Sequence, residues 1–187
     1  MSFTLPVHLD PILLAFERNT RVNAAMLAGI ADEDLTFAAG GGWSICKHLC
    51  HLASFRLGWL SVISPERAGE LKPIIEFGEE GDFTVLVSHV DEISDAIRLA
   101  DEVALDVVNL AVAEGRIFDQ VYRSHPTDFL MHILVHDAHH RGQVMSLLRQ
   151  SGRTRAEMER LEEARWPVWR ERPGQRSRTA LGRPDAP

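Results

Sequence analysis

The sequence predicts an all-α protein built as a four-helix bundle. Apolar residues recur every three or four positions in four long segments, as they do on a helix with one buried face. Clusters of glycine, proline and acidic residues separate these segments. No segment shows the alternation of a half-buried strand. Four helices of this kind bury their apolar faces by packing against one another.

The first helix is predicted to begin at Asp10. An aspartate can cap the free amides of the first turn, and Pro11 suits the first helical position. Apolar residues then follow a helical period, although Thr20 and Asn23 interrupt the stripe. An acidic connection follows this helix.

The second helix is predicted between the glycines at 40–42 and Pro65, with Ser44 as its N-terminal cap. One side of it carries Ile45, Leu49, Leu52, Phe55, Trp59 and Ile63. Residues 65–82 combine proline, glycine and acidic residues without a steady period. They predict a long connection between the second and third helices, as in a bundle with a crossover.

The third helix has the most regular pattern, from Phe83 to Ala111, and Gly115 ends it. We expect its other face to be acidic and solvated. The fourth helix is predicted to start with Thr127 as its cap and to end near Gln150. Its inward stripe contains Phe129, Ile133, His136, His140, Val144 and Leu147.

The end of the chain predicts one short helix and a tail. Residues 154–169 can form a short C-terminal helix that Pro167 interrupts. Beyond Arg170 the chain has almost nothing to bury, so residues 171–187 are expected to be disordered. We therefore expect one domain over residues 1–170, a size that can bury its own core.

Composition limits the possible functions. The formal net charge of -7 argues against broad binding to nucleic acid, which needs a basic surface. We find no signal-peptide pattern and no apolar run near the ~20 residues of a membrane span. Cys46 and Cys50 lie four apart in a helical pattern, a poor geometry for a disulfide, and we expect buried, inert thiols. These features predict a reduced, cytoplasmic protein.

The histidines are the main chemical signal. His136 and His140 lie one helical turn apart and project side by side, as the two zinc ligands of an HExxH helix do. Asp137 stands where that motif has a catalytic glutamate, so a protease is not predicted. Buried imidazoles need partners, either a metal ion or hydrogen bonds. The spacing alone favours hydrogen-bonded core histidines.

A third ligand must come from another helix. His48 and His51 lie three apart in the second helix, about 60° from one another around its axis. Only one of them can point straight into the bundle. The periodicity accepts either residue and does not choose between them.

Three motifs resemble the DinB/YfiT-like superfamily. They are Trp-Ser-Ile at 43–45, His-Leu-Ala at 51–53, and His-x3-His-Arg-Gly-Gln at 136–143. The resemblance covers about residues 8–150. It implies a four-helix bundle with a long connection between its second and third helices. One departure is Arg56, which stands where family members often carry an acidic residue.

The resemblance implies a metal site formed by His51, His136 and His140. Three protein ligands leave one coordination position open, as in catalytic sites. Zinc or nickel is the expected divalent ion, since imidazoles suit several transition metals. Family members with an assigned activity are transferases or isomerases that use a low-molecular-weight thiol. Relatives often form homodimers.

Four further residues are candidates for supporting the ligands through hydrogen bonds. They are His48, Asp137, Arg141 and Gln143. The leading hypothesis is a metal-dependent enzyme, possibly a thiol-dependent S-transferase or isomerase, that acts on a small electrophilic substrate. The first alternative is a non-catalytic, dimeric bundle that binds a metal or a small ligand. The second is a metal-dependent hydrolase.

Overall fold

A computed structural model of the chain describes residues 10–78 and 82–170. The disorder expected for 171–187 therefore lies outside the described residues. The helices and strands of the described part are α1 (Asp10–Leu27), α2 (Ile45–Ile63), α3 (Pro65–Ala68), β1 (Ile75–Phe77), β2 (Phe83–Val85), α4 (Val90–Ala113), α5 (Thr127–Gln150) and α6 (Arg155–Arg165). Short 3-10 helices occupy Asp32–Thr36 and Trp166–Arg170.

The structure is mostly helical, as predicted. Helix α2 packs against both α4 and α5, and α1 packs against the same two helices. Helix α6 and the 3-10 helix after it lie against α1. Among the residues with described coordinates, no helix combines the length and apolar character that a membrane span requires.

The local signals at the helix ends are mostly confirmed. Ser44 caps α2, because its hydroxyl accepts the backbone N–H of Lys47 at 3.3 Å. Gly115 follows α4 with a φ of 63°, a left-handed conformation that favours glycine. The cap predicted at Thr127 is wrong: this residue lies inside α5, and its hydroxyl pairs with the ring of His125 at 2.7 Å.

The connection after α2 contains a small antiparallel sheet, which the sequence pattern did not indicate, although the fold is mostly helical as expected. Strands β1 and β2 pair Ile75 with Val85 and Phe77 with Phe83. Each strand has three residues, too few for an alternating pattern to stand out. The sheet contacts α2 and covers the half of the molecule that holds the histidines.

The predicted start of the third helix at Phe83 is also wrong. Phe83 lies in β2, Leu86 is exposed, and α4 begins only at Val90. The carboxylate of Asp32 accepts the backbone N–H of Val90 at 2.8 Å and so satisfies one free amide at the start of the helix. The spacing of apolar residues before Val90 resembles a helical period because the strand contributes its own buried residues.

The core consists of two hydrophobic clusters at opposite ends of the four long helices. The first cluster includes Met26, Leu49, Ile93 and Val144. The second cluster includes Phe16, Leu60, Val107 and Ile133. Along each helix, buried polar residues stand between the members of the two clusters. We call these residues the polar layer: Asn19 and Asn23 of α1, Arg56 of α2, Asp101 of α4 and Asp137 of α5.

The polar layer corrects one expectation about α4. Asp101 was expected on a solvated acidic face, yet it is only 2% exposed. Its carboxylate accepts a hydrogen bond from Arg56 Nε at 2.5 Å and another from the Thr20 hydroxyl at 2.7 Å. These partners explain how an acidic side chain is accommodated in the core.

Candidate metal centre

Three histidines converge where α2 faces α5. His51 comes from α2, and His136 and His140 come from successive turns of α5. Each offers one nitrogen that lies within 4.8 Å of the other two. The ring of His51 is 4.9 Å from each of the α5 rings, which are 4.5 Å apart between centroids. This is the set that the family resemblance singled out.

Two of the three rings keep an unpaired nitrogen in a buried position. Nδ1 of His51 and Nδ1 of His136 are both inaccessible to solvent and have no hydrogen-bond partner among the described residues. A buried polar atom without a partner costs free energy. The arrangement therefore has the donor atoms and the lack of competing partners that a cation requires.

Burial keeps two of the rings neutral. It lowers the pKa of His51 to about 4, and the nearby rings of His136 and His48 add to the effect. Burial likewise lowers the pKa of His140 to about 3, helped by the same neighbours. Neutral imidazole is the form that binds a metal ion. Protons therefore compete weakly for His51 and His140 at neutral pH.

His48 contacts the cluster without joining it. Its Nδ1 lies 3.0 Å from Nδ1 of His140, a hydrogen-bond distance. Periodicity could not choose between His48 and His51, and the structure separates them: His51 faces both α5 histidines, whereas His48 contacts His140. A ligating histidine commonly pairs its second ring nitrogen with such a partner, which fixes the orientation of the ring.

Aromatic side chains enclose the histidines. Trp43 lies 5.2 Å from His51 and stacks with His140 at 6.1 Å between centroids, with the planes 8° apart. Phe55 stacks on His136 at 3.7 Å, with the planes 14° apart. The sequence placed Phe55 only on the apolar side of α2 and Trp43 only in a family motif; the contacts of Trp43 and Phe55 with the histidines come from the structure. Their contacts restrict the rotation of the imidazoles and keep water from their faces.

The structure directs the other three support candidates elsewhere. Asp137 Oδ1 is 4.0 Å from Nδ1 of His136, too long for a hydrogen bond. Arg141 instead donates to the side-chain oxygens of Asn19 and Asn23, each at 2.6 Å. Gln143 is exposed to solvent on the surface of α5.

Asp137 belongs to the polar layer. The guanidinium of Arg56 donates to its two carboxylate oxygens at 3.0 and 2.7 Å, and the side-chain amides of Asn19 and Asn23 donate to Oδ2. Burial alone would raise the pKa of Asp137, but the charge of Arg56 outweighs burial and lowers it. Asp137 is therefore ionised and fully engaged away from the histidines.

Sequence reasoning missed most of the polar layer. Arg56 was noticed only as a departure from the family pattern, and Asp101 was hidden among the many acidic residues of its helix. A usable signal did exist in α1. Thr20 and Asn23 interrupt an apolar stripe, and polar residues in such positions need buried partners.

An apolar groove opens beside His51. It has a volume of about 270 Å³. Its lining consists of His51, Ser54, Phe55, Gly58, Trp59, Val62 and Phe77. Phe77 is 69% exposed at the end of β1, and its ring meets that of Phe83 edge-on at 6.3 Å between centroids. The groove gives a small molecule with an apolar part a route to His51.

Comparison with known proteins agrees with the family resemblance of the motifs at 43–45, 51–53 and 136–143. The model of the DinB family matches residues 5–174. A DinB-like protein from Bacillus cereus ATCC 10987, known from a crystal structure, superposes with a TM-score of 0.53 at 23% identity. The match covers 78% of this chain and 94% of that one, and at this identity it supports the fold alone. No curated protein matches the chain. Since the family model spans nearly the whole sequence, the chain belongs to the DinB family.

Proposed function

We propose that the protein is a metal-dependent enzyme in which His51, His136 and His140 hold one divalent cation. The observation that carries this proposal is the convergence of three ring nitrogens within 4.8 Å, two of the rings having a buried, unpaired Nδ1. Zinc and nickel are the ions we favour, because an all-imidazole set suits both.

The chain's own residues support an open, reactive site. Three protein ligands leave a coordination position free, where a bound ion would polarise a thiol, a water or a carbonyl. His48 orients the ring of His140 through the contact between their Nδ1 atoms. Trp43 and Phe55 restrict solvent around the rings. The apolar groove then positions the substrate next to His51.

We infer that the reaction joins a low-molecular-weight thiol to a small electrophile, or isomerises a substrate with the thiol's help. Family resemblance supplies this reaction class. The groove beside His51 supports an electrophile with an apolar part, because Phe55, Trp59 and Phe77 dominate its walls. A small electrophilic molecule with an aromatic or branched apolar group fits this chemistry.

Among the described residues, the carboxylate next to the cluster in sequence is not available as the base that a hydrolase needs. Asp137 is the carboxylate next to the cluster in sequence, and Arg56 and the asparagines hold both of its oxygens. A hydrolase would need a carboxylate or similar group that is free to take a proton from a water molecule. The non-catalytic alternative is a bundle that binds a metal or a small ligand. It uses the same geometry, so an activity assay is needed to distinguish it from an enzyme.

We further propose the domain organisation, the cellular location and the oligomeric state of the protein. The mutual packing of α1, α2, α4 and α5 supports one four-helix-bundle domain over residues 1–170. The negative net charge and the pair of thiols support a cytoplasmic protein that does not bind nucleic acid. A homodimer is proposed from the family alone.

The first experiment is a metal analysis of protein purified without an affinity tag. We expect the wild type and His139→Ala to hold about one zinc or nickel ion per chain more than His136→Ala does. His139 is an exposed residue of the same helix and serves as the matched control. Absence of metal in the wild type, even after incubation with zinc or nickel, would refute the metal site.

Activity is tested separately with metal-loaded protein. A panel of low-molecular-weight thiols is combined with apolar electrophiles, and thiol consumption is followed. We expect turnover that disappears in His136→Ala. Bound metal without turnover across the panel would favour the non-catalytic alternative.

A further inference from the structure

The two cysteines of the sequence face each other on α2. Sγ of Cys46 and Sγ of Cys50 lie 3.9 Å apart, one helical turn from each other. Cys50 is buried, and Cys46 is partly exposed, contrary to the expectation that both thiols are buried. Cys46 lines a surface cavity of about 420 Å³ between α2, β2 and the segment that precedes α4. The pair is therefore reachable from solvent through Cys46.

This geometry does not suit a disulfide. A disulfide places its sulfurs about 2.0 Å apart and its Cβ atoms about 3.5–4.5 Å apart. Residues four apart on a helix have Cβ atoms about 5–6 Å apart. Helix α2 would have to distort to close the bond, and its first turn is fixed by the Ser44 cap.

The same separation suits two bonds to one metal ion. With metal–sulfur bonds of about 2.3 Å, sulfurs 3.9 Å apart enclose an angle of about 115° at the ion, close to the tetrahedral value. Thiolates are soft ligands and select soft cations. The contact between the two thiols lowers the pKa of Cys46, whereas the same contact and burial raise the pKa of Cys50, so a cation has to displace the proton of Cys50.

We propose that Cys46 and Cys50 together bind one soft divalent cation, independently of the three histidines. On binding, each thiol loses its proton and its sulfur forms one bond to the cation, so two protons are released and the site remains neutral overall. The cavity beside Cys46 leaves room for water or a further small ligand on the ion. The site does not depend on the proposed enzymatic function.

The cysteine site is distinct from the histidine site. Around the axis of α2, Cys46 and Cys50 point about 140° and 100° away from His51. Cys46 instead lies against the backbone carbonyl of Val87, 4.0 Å from its oxygen, on the side of the helix that faces the start of α4. A cation bound there lies beyond the reach of the imidazoles.

Cadmium is the probe, because cadmium bound to thiolates absorbs in the ultraviolet by charge transfer and cadmium bound to imidazole does not. We expect titration of the full chain to give a thiolate band that saturates, and in His136→Ala, where the histidine site is broken, the band should saturate at one cadmium per chain. The band should keep its intensity in His136→Ala, and in Cys46→Ser it should fall to less than a tenth. Since the sequence has two cysteines, no other residue can produce the band.

Any one of the following outcomes would overturn the proposal. They are no band in the wild type, a band of half intensity in Cys46→Ser, which would mean that each thiol binds alone, and a cadmium-induced dimer by sedimentation, which would mean bridging between chains. Cys50→Ala provides a second variant, with circular dichroism to show that it folds. A folded Cys50→Ala protein that keeps the full band would also refute the shared site.

Discussion

Helix α5 presents two buried polar groups that differ in how fully they are paired. Asp137 faces the polar layer, where Arg56, Asn19 and Asn23 use both of its carboxylate oxygens. His136, one residue earlier, has an Nδ1 that is buried without a hydrogen-bond partner among the described residues. Both groups lie where α5 meets other long helices. We call the polar layer the complete cluster, because its polar groups are paired with one another. We call the three histidines the incomplete cluster.

The difference separates a structural cluster from a ligand site. Two arginines and two aspartates, Arg56, Arg141, Asp101 and Asp137, give the polar layer and its Arg141 neighbour a formal charge that sums to zero. Such a network needs nothing from outside the chain. In the histidine cluster, Nδ1 of His51 and Nδ1 of His136 have no partner among the described residues, and a bound ion would supply one.

The largest effect is expected from breaking the complete cluster. Arg56→Ala would leave Asp101 and Asp137 buried without their cation. Removing one partner of a buried ion pair costs about 3–5 kcal/mol, so we expect a loss of that order in the free energy of unfolding. Urea unfolding of metal-free protein measures it. An Arg56→Ala protein as stable as the wild type would contradict the structural role of the polar layer.

The three histidines should stabilise the folded protein only when a metal ion is bound. Zinc at about 100 times its dissociation constant should stabilise the wild type by about 2.7 kcal/mol. With Cys46→Ser in both proteins, so that the two thiols cannot share a zinc ion, this zinc-dependent stabilisation should vanish in His136→Ala, while the metal-free stability should change far less than in Arg56→Ala. Thermal unfolding with and without zinc separates the two contributions. Equal stabilisation of the variant would place zinc elsewhere.

His48 should have an intermediate effect. His48→Ala removes the partner of His140 Nδ1 but no proposed ligand, so we expect about one metal per chain to be retained with an affinity about 10–100-fold lower. Competition with a chelator measures the affinity. The exposed His139→Ala variant, whose affinity should be unchanged, is the control. Complete loss of metal in His48→Ala would make His48 a ligand instead.

The metal-free protein should also show a pH dependence of its stability. His51 and His140 have folded pKa values of about 4 and 3, whereas unfolded histidine has about 6.5. Below pH 6.5 the two histidines bind protons in the unfolded state, whereas in the folded state His51 and His140 remain unprotonated until the pH approaches 4. The stability is thus complete above pH 6.5 and falls as the pH drops towards 4.

His51→Phe tests this pH dependence. The variant should lose less stability between pH 7 and pH 5 than the wild type, as measured by urea unfolding. His89 is the contrasting control, since its hydrogen bond with Asp32 raises its pKa and gives a stability that is lost as the pH rises. An unchanged slope in His51→Phe would mean that the ring is solvated.

The sequence predicted the parts of the fold that local interactions decide. Ser44 and Gly115 mark helix ends because a cap or a left-handed residue acts within one turn. Strands β1 and β2 escaped notice because three-residue strands carry too few alternations. Asp101 escaped because its burial depends on Arg56, which is distant in sequence, and nothing in the pattern of α4 distinguishes it from its solvated neighbours.

The sequence indicated which residue types form the site, but not how their side chains meet in space. The spacing of His136 and His140 indicates a shared face on any helix. The choice of His51 over His48 came from family motifs, because both fit the period of α2. The contact between His48 and His140 depends on the rotation of α2 relative to α5, which long-range packing decides.

The pairing of Arg56 with Asp137 sets the dimensions of the histidine cluster. Arg56 stands five residues after His51 on α2, and Asp137 is adjacent to His136 on α5. Sliding either helix by one turn, about 5.4 Å, would place a charge against hydrocarbon. The two helices are therefore held at one axial offset before any ion arrives. A cation held by the three histidines would have to match a spacing that the protein has already fixed, and ions with other preferred bond lengths would bind at a disadvantage.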